Sequence, residues 1–218
     1  MNEDIGGHGS KSSNSIWLTY RAMETNEKGE KVPLGKFLKG VKQPDGTWQD
    51  EKHDFVCGLL QNVTLRDNPG KPERNVDPHI ELIVALTAIK GGESYYYKLP
   101  FKAGSTAAMS ITRRLPSLTR GELVEIGAFV KDGAAAVAIQ KYIGQQKVPI
   151  APADTGVEFV KTDGLTGAAL KIARTQNEGL REAWVVETVK KLPYFEEFGA
   201  AAPAAPVSAE EYDPFAED

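Results

Sequence analysis

The chain has 218 residues, 41% of them hydrophobic and 26% charged, with a net charge of −4 and one cysteine. That length accommodates one domain with appendages. The lone Cys57 rules out an internal disulfide. No apolar run is long enough for a bilayer and no apolar leader opens the chain, so the reading is a cytoplasmic protein that does not engage a membrane. The charge is segregated. All 26 Lys and Arg residues precede residue 192, together with 23 of the 30 acidic residues, whereas the last 27 residues hold only the remaining seven acids. A mildly basic body with an acidic tail points to an anionic partner for the body.

Residues 1–15, rich in Gly, Ser and Asn, read as disordered. IWLTYRAM (16–23) and KVPLGKFLKG (31–40) read as strands of a hairpin, and the PDG at 44–46 marks a turn that leaves Trp48 in a turn region. FVCGLLQNVTL (55–65) is β-rich, with Gly58 marking a bulge or bend. After a polar loop (66–78) come HIELIVALTAI (79–89), a hairpin turn at 90–93, and YYYKLPF (95–101). Strand alternation puts Tyr95, Tyr97, Leu99 and Phe101 on a core face and Tyr96, Lys98 and Lys102 on the other. The stretch 104–118 predicts a helix with Ser105 or Thr106 as N-cap and Pro116 as its end. Residues 121–144 predict two strands joined at Asp132-Gly133, VEFV (157–160) a short strand, and 180–192 a helix. The organisation is therefore a disordered N-terminus (1–15), a folded unit (16–198) and a flexible Ala/Pro-rich acidic tail (199–218).

From 55 to 144 the order is strand, strand, strand, helix, strand, strand. That is the order of an OB-fold, a five-stranded Greek-key barrel with one helix between strands three and four, here with an N-terminal β-hairpin and a C-terminal helix. The fold class is mainly β.

The sequence offers no enzymatic chemistry. His53 and Cys57 lack a companion ligand pair, so no metal is implied. GEKVPLGKF (29–37) misses the phosphate-loop spacing and has Phe37 where a hydroxyl should meet magnesium. No nucleophile motif occurs. What recurs is cations beside rings, the combination that holds unpaired nucleic acid by phosphate contact and base stacking. The candidate phosphate contacts are Lys36, Lys39, Lys98, Lys102, Lys131 and Lys141. The candidate stacking faces are Phe37, Trp48, Tyr96 and Tyr142. Trp17 and Trp184 read as packing residues, and Arg113 and Arg114 as a solvated helix face. In the tail, Glu210, Glu211, Tyr212, Asp213, Phe215, Glu217 and Asp218 present a ring among acids, suited to a basic-rimmed apolar pocket on a partner.

FVCGLLQNVTL, HIELIVALTAI with YYYKLPF, ITRRLPSLTRGELVEIGAF and AIQKYIGQQKVP, together with Asp213-Pro214-Phe215, resemble the phage-type single-stranded DNA-binding proteins, which combine an OB-fold with an acidic C-terminal tail. The resemblance covers roughly residues 55–150 and the last ten. It implies a non-catalytic protein without cofactor that coats single-stranded DNA, regardless of sequence, in phage DNA replication, recombination or repair, within the host cytoplasm. It implies that the tail recruits replication or recombination proteins and restrains binding by self-competition. Homo-oligomerisation stays open. Two other readings stand beside it: an OB-like protein-interaction or virion assembly module, and an RNA-binding or strand-annealing protein.

Overall fold

The computed structural model describes residues 14–74, 76–90 and 93–198. The protein is mainly β, with one large mixed sheet, a second three-stranded sheet and two helices. The large sheet is built on β5 (Phe55–Asn68), which pairs antiparallel with β6 (His79–Lys90) along one edge. Its other edge is shared. Residues 55–59 pair with β8 (Leu123–Lys131), and 63–65 pair in parallel with the short β11 (Phe195–Glu197). β6 pairs with β7 (Glu93–Lys102), and β8 pairs with β9 (Ala134–Ile143). The β8–β9 turn is the predicted Asp132-Gly133 pair, both with positive φ (51° and 73°), the conformation such a two-residue hairpin requires.

Strands β7 and β9 would have to pair for the sheet to close into a barrel. They do not, because both edges are occupied. β1 (Asn14–Trp17) runs parallel along β7, and β10 (Gln146–Pro149) runs antiparallel along β9. The predicted barrel therefore appears as an open sheet. Over the gap lies the second sheet, β2 (Thr19–Thr25), β3 (Lys31–Lys42) and β4 (Trp48–His53), with β2 against β7 and β3 against β8 and β9. Gly35 makes that approach possible. Its φ is +55°, and a Cβ there would sit 2.5 Å from the backbone oxygen of Phe129 on β8.

The core lies between the two sheets. Phe37, Tyr20 and Phe101 form a triangle of rings with centroids 6.0–6.3 Å apart, joining β3, β2 and β7. Around them pack Leu60 and Val63 of β5, Leu82, Val84 and Leu86 of β6, Leu99 of β7 and Ile126 of β8. The alternation read in YYYKLPF holds. Leu99 and Phe101 are buried, Tyr97 packs against the core, and Tyr95 stands beside it at the rim with ring centroids 6.5 Å apart. The sequence places the bend of β5 at Gly58. The register shift falls instead between Leu60 and Asn62, while Gly58 is needed because a Cβ would sit 2.8 Å from the Thr87 oxygen on β6.

Helix α1 (Thr106–Thr112) starts where the sequence predicts, with Ser105 Oγ accepting from the Ala108 amide at 3.0 Å. It ends earlier, at Thr112, and Pro116 lies within a separate 3-10 turn, Leu115–Ser117. IWLTYRAM divides into β1 and β2, with Leu18 buried between them. Trp48 starts a strand that polar residues had concealed as a turn. Residues 157–160 form no strand. Arg113 donates to the Ala153 carbonyl (2.8 Å) and Arg114 to that of Ile150 (3.2 Å), so both arginines hold the segment after β10 and do not form a free helix face. Asn177 exchanges two hydrogen bonds with the Val160 backbone (2.8 and 2.9 Å). Helix α2 (Gly167–Lys190) is longer than the predicted 180–192 and buries Ala173, Asn177, Val185 and Val189. No helix among the described residues is long and apolar enough to cross a membrane. The predicted disorder at 1–15 falls almost wholly, the 90–93 turn partly and the acidic tail wholly outside the described residues.

One correction to the candidate site follows directly. Phe37 is 0% exposed and sits in the ring triangle, so it offers no face to a base. Phe37→Ala is expected to lower folding stability by about 3–5 kcal/mol, the usual range for deleting a buried aromatic side chain. Chemical denaturation checks this. A loss below about 1 kcal/mol would show that the ring does not hold the two sheets together.

Candidate nucleic-acid interface

The outer face of β7 carries Tyr96, Lys98 and Lys102, as alternation requires. The structure adds a neighbour: Trp17 of β1 is in register with Lys98. The Lys98 ammonium lies 5.3 Å from the Trp17 ring centroid and 5.5 Å from that of Tyr96. On the other side, the Arg66 guanidinium of β5 lies 5.0 Å from Trp17 and 5.2 Å from Phe198. Phe198, Arg66, Trp17, Lys98 and Tyr96 thus alternate ring and cation across the sheet. Arg66 and Lys98 stand on the strands either side of β6, where Ile83 and Ala85 are only 3% and 2% exposed. Each cation–ring contact contributes about 0.5–1 kcal/mol at exposed sites. Trp17 keeps 38% of its surface in solvent.

Three clefts meet along β1 and β2. One of about 370 Å³ lies between the sheets beside Lys39, Lys52 and Phe55. It shares Ile16 and Lys39 with a second of about 540 Å³, which holds Trp17, Arg21 and Trp48. That one shares Trp17 and Thr19 with a third of about 460 Å³, reaching Arg66 and Lys102. Together they form one groove with Trp48 and Trp17 in its middle. Trp48 is 71% exposed and lies over Gly40, where a Cβ would meet the indole at ordinary contact distance (3.4 Å to Cε3).

Most groove cations are paired: Arg21 with Asp50 (3.4 Å), Lys39 with Glu51 (3.4 Å), Lys52 with Glu24 (2.8 Å) and Lys102 with Glu178. These partners are largely solvent-exposed, and such pairs contribute about 0–1 kcal/mol, so a phosphate can take over from the carboxylate at little cost. Among the described residues, Lys98 has no carboxylate partner.

The other candidates lie elsewhere. Lys36 is tied to Asp54 and lines none of the three clefts. Lys131 stands at the β8–β9 hairpin, exposed. Lys141 is paired with Glu122 (3.6 Å). Tyr142 is half-buried and donates its hydroxyl to Glu125 (3.0 Å), a carboxylate also held by Lys147 at 2.8 Å. Lys147 in turn lies 5.6 Å from the Phe55 ring and 6.0 Å from Tyr142. This second cation–ring group faces the same side of the sheet as Trp17 but outside the groove's middle. The structure therefore brings Lys39, Trp48 and Lys102 to the clefts, holds Lys98 and Tyr96 beside Trp17 without their lining a cleft, and leaves Lys36, Phe37, Lys131, Lys141 and Tyr142 apart.

Sequence reasoning missed Trp17, Arg21, Lys52, Phe55 and Arg66. Trp17 carried no local signal, because IWLTYRAM reads as one strand and its division into β1 and β2 depends on pairing with β7. Arg66 carried none, because it read as the start of a loop. Among the described residues, no group of three or more His, Cys, Asp or Glu side chains is placed to hold a metal ion. No family model, curated protein or solved structure matches this chain.

Cys57 shares the outer face with Glu125 but is buried. Burial first, and the Glu125 charge second, push its thiol up to about 11. The native protein at pH 8 is expected to leave this thiol unreactive toward a disulfide reagent such as DTNB, and to release one thiol on unfolding in guanidinium. Rapid modification of the native chain would show that the strand around Cys57 is open.

Proposed function

We propose that the protein binds single-stranded DNA without sequence preference, along the groove that Trp48 and Trp17 line. The observation that carries this reading is the meeting of three clefts at exposed indoles flanked by Lys39, Lys98 and Arg66. Rings give every base a stacking face, and cations follow the backbone whatever the sequence. The order β7-β6-β5-β8-β9, with α1 between β7 and β8, supports an OB-type sheet whose last ladder is missing. In this reading β1, β2 and the small sheet supply the groove wall that a closed barrel would lack. The role is binding, not catalysis. The acidic tail, outside the described residues, is the element proposed to recruit replication or recombination proteins and to compete with phosphate for the same cations.

Titration of the full chain with an oligo(dT), followed by tryptophan fluorescence, tests it. Quenching is expected at low salt, with log K falling against log salt by about 0.7 per phosphate contacted. Trp48→Ala and Lys98→Ala should each weaken binding, Trp48→Ala by about 1–3 kcal/mol, the usual loss of one stacked base. A folded protein that shows no quenching at low salt contradicts the proposal. A parallel titration with oligo(rU) assigns the sugar preference. Separately, removal of residues 208–218 should tighten binding or leave it unchanged. Loss of binding in that variant would place the tail inside the site.

A further inference from the structure

We infer that the third cleft, at the α1 end of the groove, is a pocket for a terminal phosphate, a phosphomonoester at the end of a strand or on a free nucleotide. The inference rests on the strand-binding reading for the path that leads to the pocket, and adds what waits at its end.

The cleft of about 460 Å³ falls within the usual 300–1,000 Å³ span of small-ligand sites. Its floor is β5, β6 and β7, one wall is β2, and the facing wall is the first turn of α1 with Ala135 of the β8–β9 hairpin. A strand that passes Trp48 and Trp17 meets that second wall, so a chain end suits this position better than a chain interior. Three cationic or protonatable groups converge there from three strands: Arg66 of β5, His79 of β6 and Lys102 of β7. Ser105 and Thr106 line the opposite wall, with Ser105 Oγ accepting from the Ala108 amide. Trp17 forms the mouth.

Glu81, the acid among the lining residues, is already satisfied. Arg66 Nε donates to it at 3.0 Å, Asn68 Nδ2 donates at 2.7 Å, and His79 Nε2 lies 3.5 Å away. Glu81 therefore orients the guanidinium, which donates to it through Nη2 as well, and leaves the Nη1 group of Arg66 for a second anion, while Lys102 can exchange its exposed partner Glu178 for that anion at little cost. A monoester carries up to two charges and three terminal oxygens, against one charge for an internal diester. It matches this set of donors where an internal linkage would leave several unmet, and charge-assisted hydrogen bonds are the strong ones.

The test compares oligo(dT) carrying a 5′-phosphate, a 3′-phosphate or hydroxyls at both ends, with dTMP and thymidine as the free pair. One phosphorylated end is expected to bind roughly fivefold to tenfold tighter than the hydroxyl-ended oligomer. His79→Gln and Thr106→Val, made separately, should each lower that ratio at least about threefold, a larger change than either makes in affinity for the hydroxyl-ended oligomer. If no oligomer binds but dTMP binds better than thymidine, the pocket stands with a nucleotide as its ligand and the strand-binding reading falls. If oligomers bind and neither phosphorylated end nor dTMP is preferred, the pocket proposal is overturned and the groove survives. Equal indifference to oligomers and to dTMP overturns both.

Discussion

The two strands that would have to meet to close the large sheet already have other partners. β1 sits on the free edge of β7 and β10 on that of β9, so the sheet stays open and its inner face needs a cover. The three-stranded sheet supplies it through the Phe37, Tyr20 and Phe101 rings, and Gly35 lets its backbone press against β8. Aromatic pairs add about 0.5–1.5 kcal/mol beyond the area they bury, so this contact both seals the core and sets the position of the smaller sheet. The groove is a product of the same constraint. It follows the seam along β1 and β2, where the two sheets meet, and its lining polar side chains come from both.

The outer face shows how a small number of cations organise rings. Arg66 and Lys98 bracket Trp17, and each also touches a second ring, Phe198 or Tyr96. The indole is bracketed by the two charges without being buried. A ring held between two cations and part-exposed has already lost rotamer freedom that a mobile one would lose on stacking, which favours binding of another planar group. The carboxylates distributed along the groove hold its lysines in place and keep the empty groove from carrying a large unmet charge.

Much of the fold was legible because it is written in period-two alternation and in turn chemistry. Phe55 to Leu65, His79 to Ile89 and Tyr95 to Phe101 announce strands, and Asp132-Gly133 announces its hairpin. The helix after β7 was visible in its cap and in Pro116, though the proline falls in a separate turn. What was hidden depends on contacts distant in sequence. β4 is polar after Trp48 and pairs only because β3 lies beside it, and β1 separates from β2 only because its partner is β7. Phe37 sits next to Lys36 and Lys39 in sequence, so a ring among cations looked like a binding face. Which side of β3 faces the core is decided by Tyr20 and Phe101, and no local pattern records that. The same reasoning explains Arg66: the polar residues after it conceal that β5 continues to Asn68.

The indole N–H resonances of the three tryptophans provide the most direct measurement. On addition of oligo(dT) to the folded chain, the signals of Trp17 and Trp48 should shift or broaden at the same oligomer concentration while that of Trp184, on α2, stays in place. Movement of Trp184 alone, or of none of the three, would contradict a groove that runs through Trp17 and Trp48.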